Sequence, residues 1–264
     1  MNIIDFHTHI FPDSLAERAL KVLKDNYPDS RHYTDGTASG LKESMECAGI
    51  SRSVLLPIAT KVSQVQQINQ SAVELNCEHF IPFGTLHPEY PDFESQIAFL
   101  VKNGIKGIKF HPEYQSFYID DRRYYPMYEV LAASGLVTLF HAGRDPGPFT
   151  NNHALPAAFK AIHNDFPGLK LVASHLGGFN AWSDVQAMLC GIGIWFDTSA
   201  VKEFLDQKQV ENIIKANGTD YILFGTDSPW FEQRKIVDWI DCLNLTSSEK
   251  EKIFSQNAIR LLEL

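Results

Sequence analysis

The sequence predicts an α/β fold, a single (β/α)8 TIM barrel over residues 1–264 with an additional C-terminal helix. Three observations predict it. Short apolar, β-branched runs alternate with helical patterns along the whole chain. There are eight of each, the number that closes a barrel of about 250 residues. The turn after the first strand reads "HTHIFPD", where a doubly wound open sheet carries a Gly-rich phosphate turn.

In order, strands are predicted at 2–7, 52–59, 80–87, 105–111, 136–142, 170–176, 193–199 and 221–227. Each is an apolar run bounded by polar or turn residues. Between them, helices are predicted near 38–49, 61–78, 92–103, 124–134, 153–165, 183–190, 206–216 and 231–243, and a last one covers 247–262. Residues 14–27 ("SLAERALKVLKDNY") add an amphipathic helix after the first strand. The polar stretch "PDSRHYTDGT" (28–37) widens the first strand-to-strand gap and reads as a lid or a long loop. No repeat, linker or low-complexity segment divides the chain.

Composition narrows the function. A net charge of -9 and no Lys/Arg cluster argue against nucleic-acid binding, which needs a basic surface. No apolar run approaches the roughly 18 residues of a membrane span. The N-terminus lacks a signal-peptide pattern, and Cys47, Cys77, Cys190 and Cys242 are scattered without metal-type spacing. A cytoplasmic protein with reduced thiols is expected.

The first strand ends "DFHTH". Period-2 alternation predicts that Asp5, His7 and His9 share one face, where two imidazoles can reach one metal ion. Six of the ten histidines fall at or just after predicted strand C-termini: His7, His9, His87, His111, His141 and His175. Barrels build their active sites at that face. Asp227 ends the last strand in "FGTDSPW". These nitrogen and oxygen donors suit zinc, and also manganese, iron or cobalt, in an open catalytic site without cysteine.

The set "DFHTH", His141, His175 and Asp227 resembles the metal-binding pattern of the amidohydrolase superfamily. The segments "GIKGIKFHPEYQSFYIDD", "LFHAG", "SHLGG", "FGTDSP" and "NAIRLL" are similar to its aminocarboxymuconate-semialdehyde decarboxylase-like branch of metal-dependent hydrolases. The resemblance runs from residue 2 to about 262. It implies a divalent metal, usually zinc, with one ion per chain as the first expectation. His7, His9, His141 and Asp227 then correspond to ligands, and His175 to a catalytic acid/base. In binuclear members a strand-4 lysine is carbamylated and bridges two metals. Lys109, with His111 two residues on, could fill that role or hold substrate. Oligomers are common in the superfamily, so a homo-oligomer is a further implication.

Two reactions follow. In the leading one, a metal-activated water attacks a small amide, ester or lactone, with His175 or Asp227 moving its proton. In the alternative, the same residues serve a non-oxidative decarboxylase. Arg144, three residues past His141, is the candidate clamp for a substrate carboxylate, against an ion pair with Asp145. Asp5 is expected to orient the first strand or a ligand histidine. Phe11, Phe149, Trp182 and Trp230 are candidates for an apolar pocket wall, and Lys61 reads as a solvated helix-start lysine. A nuclease of the related TatD type is disfavoured by Lys109, where that group is expected to carry a glutamate.

Overall fold

The computed structural model describes residues 2–264. Its strands are β1 (Ile4–Thr8), β2 (Arg52–Leu55), β3 (Phe80–Pro82), β4 (Gly84–Thr85), β5 (Gly107–Phe110), β6 (Val137–Phe140), β7 (Lys170–Ala173), β8 (Trp195–Asp197) and β9 (Ile222–Leu223). The helices are α1 (Asp13–Asn26), α2 (Ala38–Ala48), α3 (Val65–Leu75), α4 (Phe93–Lys102), α5 (Pro112–Gln115) and α6 (Tyr125–Ser134). They continue as α7 (Pro156–Asp165), α8 (Trp182–Met188), α9 (Gln207–Asn217), α10 (Gln233–Asp241), α11 (Ser247–Glu251) and α12 (Asn257–Leu262).

All strand pairs are parallel, in the orders β1-β2-β3 and β4 through β9. The predicted strand 80–87 is split at Phe83, so β3 and β4 share one barrel position. The Phe83 amide still donates to the Leu55 carbonyl at 2.9 Å, which carries the line across the break. The ring closes between the ends of the chain's strand series. Phe6 N–H donates to Phe224 O (2.7 Å), Asp227 N–H to His7 O (2.8 Å), and Thr8 bridges Ser228 in parallel. The predicted eight-position barrel is therefore the observed one. No helix among the described residues is long and apolar enough to cross a membrane.

Inside the ring, Ile4, Phe6, Phe83, Val137, Leu139 and Val172 form one buried cluster, and Leu261 and Leu262 of α12 join it. The additional C-terminal helix thus contributes to the barrel core. Phe83 fits only because residue 107 is glycine: a Cβ there would lie 2.4 Å from its ring. A larger cluster packs the outer strand faces against the helices, including Phe110, Phe140, Phe159, Phe196, Phe224 and Ile240. Each fully buried aromatic or aliphatic side chain contributes about 1.5–3 kcal/mol. These two layers hold the strand ends in place, and the site stands on those ends.

The shared face predicted for Asp5, His7 and His9 is not formed. Asp5 pairs with Ser53 and Thr8 with Leu55, so three steps of β1 run against two of β2. That extra residue is a β-bulge, which re-aims side chains. Asp5 does not share a face with the histidines. Its carboxylate accepts from Gln233 Nε2 of α10 at 2.7 Å, from Thr226 Oγ1, and from the Thr226 amide at 3.0 Å.

Candidate metal centre

His7 and His9 leave β1 toward the mouth. His7 Nδ1 lies 2.9 Å from Asp197 Oδ2 and 3.1 Å from Ser199 Oγ. Ser199 Oγ spends its own proton on Asp197 Oδ1. His7 Nδ1 therefore carries a proton, and Nε2 is a bare lone pair. His9 Nδ1 lies 2.9 Å from the Leu56 carbonyl, which only accepts, so the single proton of a neutral His9 sits on Nδ1 and its Nε2 is the free donor atom. Both bare nitrogens face the Asp227 carboxylate, His7 Nε2 at 3.6 Å from Oδ1 and His9 Nε2 at 3.2 Å. In these neutral tautomers three lone pairs converge. A tetrahedral shell with bonds of about 2.1 Å has ligand–ligand edges of about 3.4 Å. The observed edges bracket that value, and the imidazoles carry the carbonyl and carboxylate partners that orient metal-ligating histidines. The residues fit a divalent cation.

Electrostatics agree. Burial, opposed by Asp197, lowers His7 to about 4 and keeps it neutral. Burial alone would raise Asp227 and Asp197. At Asp197 the His7 Nδ1–H and Ser199 hydrogen bonds outweigh it and hold the carboxyl below the usual range; at Asp227 it is outweighed by the positive charge of His9 and His7 when protonated, the charge a bound cation would supply in their place. Asp227 has φ 65, a left-handed turn that presents its carboxylate inward. Gly225 makes room: a Cβ there would lie 3.0 Å from His7 Cβ and 3.3 Å from Asp197 Cβ.

His175 and His141 stand beside this centre. A left-handed backbone at His175 (φ 59) and Leu176 (φ 51) turns the imidazole inward after β7. Its Nδ1 lies 3.1 Å from the Ser199 carbonyl, and its Nε2 lies 3.1 Å from His141 Nδ1. The resemblance puts His141 with His7, His9 and Asp227. In the structure the ligand-type atoms of His141 lie with those of His111 and Asp145. His111 Nε2 lies 3.4 Å and His141 Nε2 3.7 Å from Asp145 Oδ2, with the two rings stacked at 4.3 Å. His141 Nε2 is buried and has no hydrogen-bond partner.

Lys109 is 1% exposed. Burial pushes it down to about 8, against the pull of Asp197, Asp227 and Asp145. Asp5 acts as expected of a supporting group but through the backbone. It accepts the His7 amide (3.2 Å) and ties β1 to Thr226 beside Asp227; burial pushes its carboxyl up to about 7. Arg144 is exposed and makes no ion pair among the described residues. The oxygens of Asp145 are taken by Tyr27, the Gly147 amide and His111. His87 stays outside the cluster, its Nδ1 3.2 Å from the Glu89 amide. Of the aromatic candidates, Phe149 packs on Tyr114 (5.3 Å) and Trp182 Nε1 donates to His175 O (2.9 Å).

Asp197, Ser199 and Tyr27 were not legible as site residues. The signal for Asp197 was a lone carboxylate ending the apolar run "GIWFD" at the mouth.

The amidohydrolase family model matches residues 4–264. Gamma-resorcylate decarboxylase of Rhodococcus jostii is 25% identical over 130 residues, spanning 42% of this chain and 39% of that protein. The chain thus matches less than half of that relative's length. Among solved structures, an uncharacterised TIM-barrel protein of Bordetella bronchiseptica superposes with a TM-score of 0.77 at 22% identity, covering 100% of this chain and 99% of that one. 2,6-Dihydroxybenzoate decarboxylase from Rhizobium gives 0.71 at 15%, covering 100% and 99%. A manganese complex of 5-carboxyvanillate decarboxylase from Novosphingobium aromaticivorans gives 0.76 at 15%, covering 100% and 96%. These likenesses establish the barrel fold, and the family match over nearly the whole length places the chain in the amidohydrolase family.

Proposed function

We propose that the chain is a metal-dependent decarboxylase of a small hydroxylated aromatic acid, the alternative reaction of the sequence reading rather than its leading one. The observation that carries this is the sequence match to gamma-resorcylate decarboxylase. Decarboxylases among the structural neighbours support it. The charge of the site supports the metal requirement. Three carboxylates (buried Asp197, half-buried Asp145 and Asp227) face one ammonium (Lys109), with His7 and His141 neutral. Carboxylates thus outnumber the fixed cation, and buried negative charge is costly unless a bound cation offsets it.

His7, His9 and Asp227 would hold that ion, zinc or manganese by donor type. When bound, it fixes an anionic substrate and withdraws electron density from it. Lys109 adds positive charge for the carboxylate. His175, held at Nδ1 by the Ser199 carbonyl, presents Nε2 as the proton donor. As the carbon–carboxylate bond breaks, its electron pair stays on the ring carbon. That carbon takes the His175 proton, and carbon dioxide leaves. His175 is then neutral and is reprotonated from solvent.

The test is a panel of hydroxylated benzoates with metal-loaded protein in D2O. Carbon dioxide release with one deuterium at the carbon that lost its carboxylate supports the reading, as does a kcat loss of about 10²–10⁴ in His175→Asn. Cleavage of lactones, esters or amides with no carbon dioxide from any acid restores hydrolysis as the activity.

A further inference from the structure

α1 departs from the eightfold repeat, since it is inserted between β1 and the repeat's own helix α2. Its end points show where it runs. It starts five residues past β1. At its far end, the Tyr27 hydroxyl donates to Asp145 Oδ1 at 2.7 Å and lies 2.9 Å from the Tyr114 hydroxyl. Asp145 follows β6 and Tyr114 follows β5. In the closed ring β6 stands opposite β1, four positions around, with β3 and β4 sharing one. The chain then returns: Tyr33 N–H donates to Pro229 O beyond β9, and Phe11 N–H to Gly36 O. The segment from Phe11 to Gly36 therefore crosses the barrel mouth and comes back, over the side where His7, His9, His111 and His141 emerge.

This roof is loosely held. Only Ala16 and Leu20 of the fourteen residues of α1 are buried. Leu15 and Val22 are 52% and 51% exposed. Such an element opens at a lower free energy than the strands beneath it. The far bank is shaped to receive its end. A Cβ at position 147 would lie 2.5 Å from the Tyr27 hydroxyl, so Gly147 leaves the space in which the phenol sits.

We propose that α1 with the 28–37 segment is a lid over the metal centre, and that the Tyr27–Asp145 hydrogen bond is its latch. Substrate enters when that bond breaks and the far end of α1 lifts. Because Asp145 also faces His111 and His141, closing the lid and fixing those two imidazoles are one event. Tyr27 is a positioning residue and touches no reacting atom. The inference stands apart from the decarboxylase reading, because it is tested without substrate.

The experiment is limited trypsin digestion of the full-length, metal-loaded protein, following cleavage after Lys21 and Lys24. A hydrogen bond to a charged acceptor is worth enough to shift an opening equilibrium by about 10-fold. Cleavage of an opened segment tracks its open population. Tyr27→Phe is therefore expected to speed cleavage at these lysines about 10-fold. Gly147→Ala, which fills the receiving space from the opposite bank, is expected to do the same. Tyr125→Phe removes a Tyr–Asp bond of 2.8 Å on an exposed surface (to Asp165) and is expected to match wild type. Amide hydrogen exchange of the wild-type protein gives a readout independent of folding in the variants. The α1 amides are expected to exchange through local opening, at least about 100-fold faster than those of β5 and β6. Unchanged cleavage in both Tyr27→Phe and Gly147→Ala, or α1 amides that exchange only with global unfolding, would overturn the proposal.

Discussion

His7 Nδ1 lies 2.9 Å from Asp197 Oδ2, and this contact decides which nitrogen of His7 faces the mouth. The other Asp197 oxygen accepts from the His175 amide (3.1 Å), the Ser199 amide (3.0 Å) and the Ser199 hydroxyl. One buried carboxylate thus orients two histidines from a strand that contributes no ligand itself. Asp197→Asn cannot satisfy both sides, because its NH2 must face either His7 Nδ1–H or three donors. We expect metal affinity to fall about 10–100-fold, read by competition with a chromogenic chelator. Unchanged affinity would show that His7 is oriented by something else.

The converging lone pairs of His7, His9 and Asp227 predict about one divalent ion per chain. Elemental analysis of protein purified without added metal checks this. A His7→Ala, His9→Ala double variant is expected to lose the ion. Two ions per chain would point to a carbamylated Lys109 and a second centre.

Gly225 is a packing requirement of the centre. Alanine there would press its methyl against His7, Asp197 and Ser199 at 3.0–3.4 Å. Overpacking of this kind typically costs about 1–3 kcal/mol. Urea unfolding of Gly225→Ala should show that loss with an unchanged m-value, and with it weaker metal retention.

His111 makes a pH prediction for the metal-free protein. Burial, opposed by Asp145, lowers it from 6.5 to about 4. The unfolded chain therefore binds the proton first. The stability that neutral His111 contributes is full above about pH 6.5 and is lost as pH falls through about 4. Relative to His111→Gln, wild type should lose about 1.4 kcal/mol per pH unit across that window. Parallel pH profiles for the two proteins in chelator-treated urea titrations would count against a buried neutral imidazole.

The strands, their number and the histidines at their ends were legible in the sequence because each depends on local information. An apolar run bounded by turn residues is a strand wherever it is placed, and a polar residue at its C-terminal end reaches a barrel mouth. His7, His9, His175 and Asp227 could be named on that basis. The face of Asp5 could not, because the bulge that turns it toward Gln233 arises from the pairing of β1 with β2. Nor could the pairing of Asp197 with His7, 190 residues away, or the Tyr27–Asp145 contact across 118 residues. Alternation fixes a side chain's direction only while register is unbroken. Which carboxylate meets which imidazole is decided by where the closed ring brings strand ends together, and only the tertiary structure holds that distance.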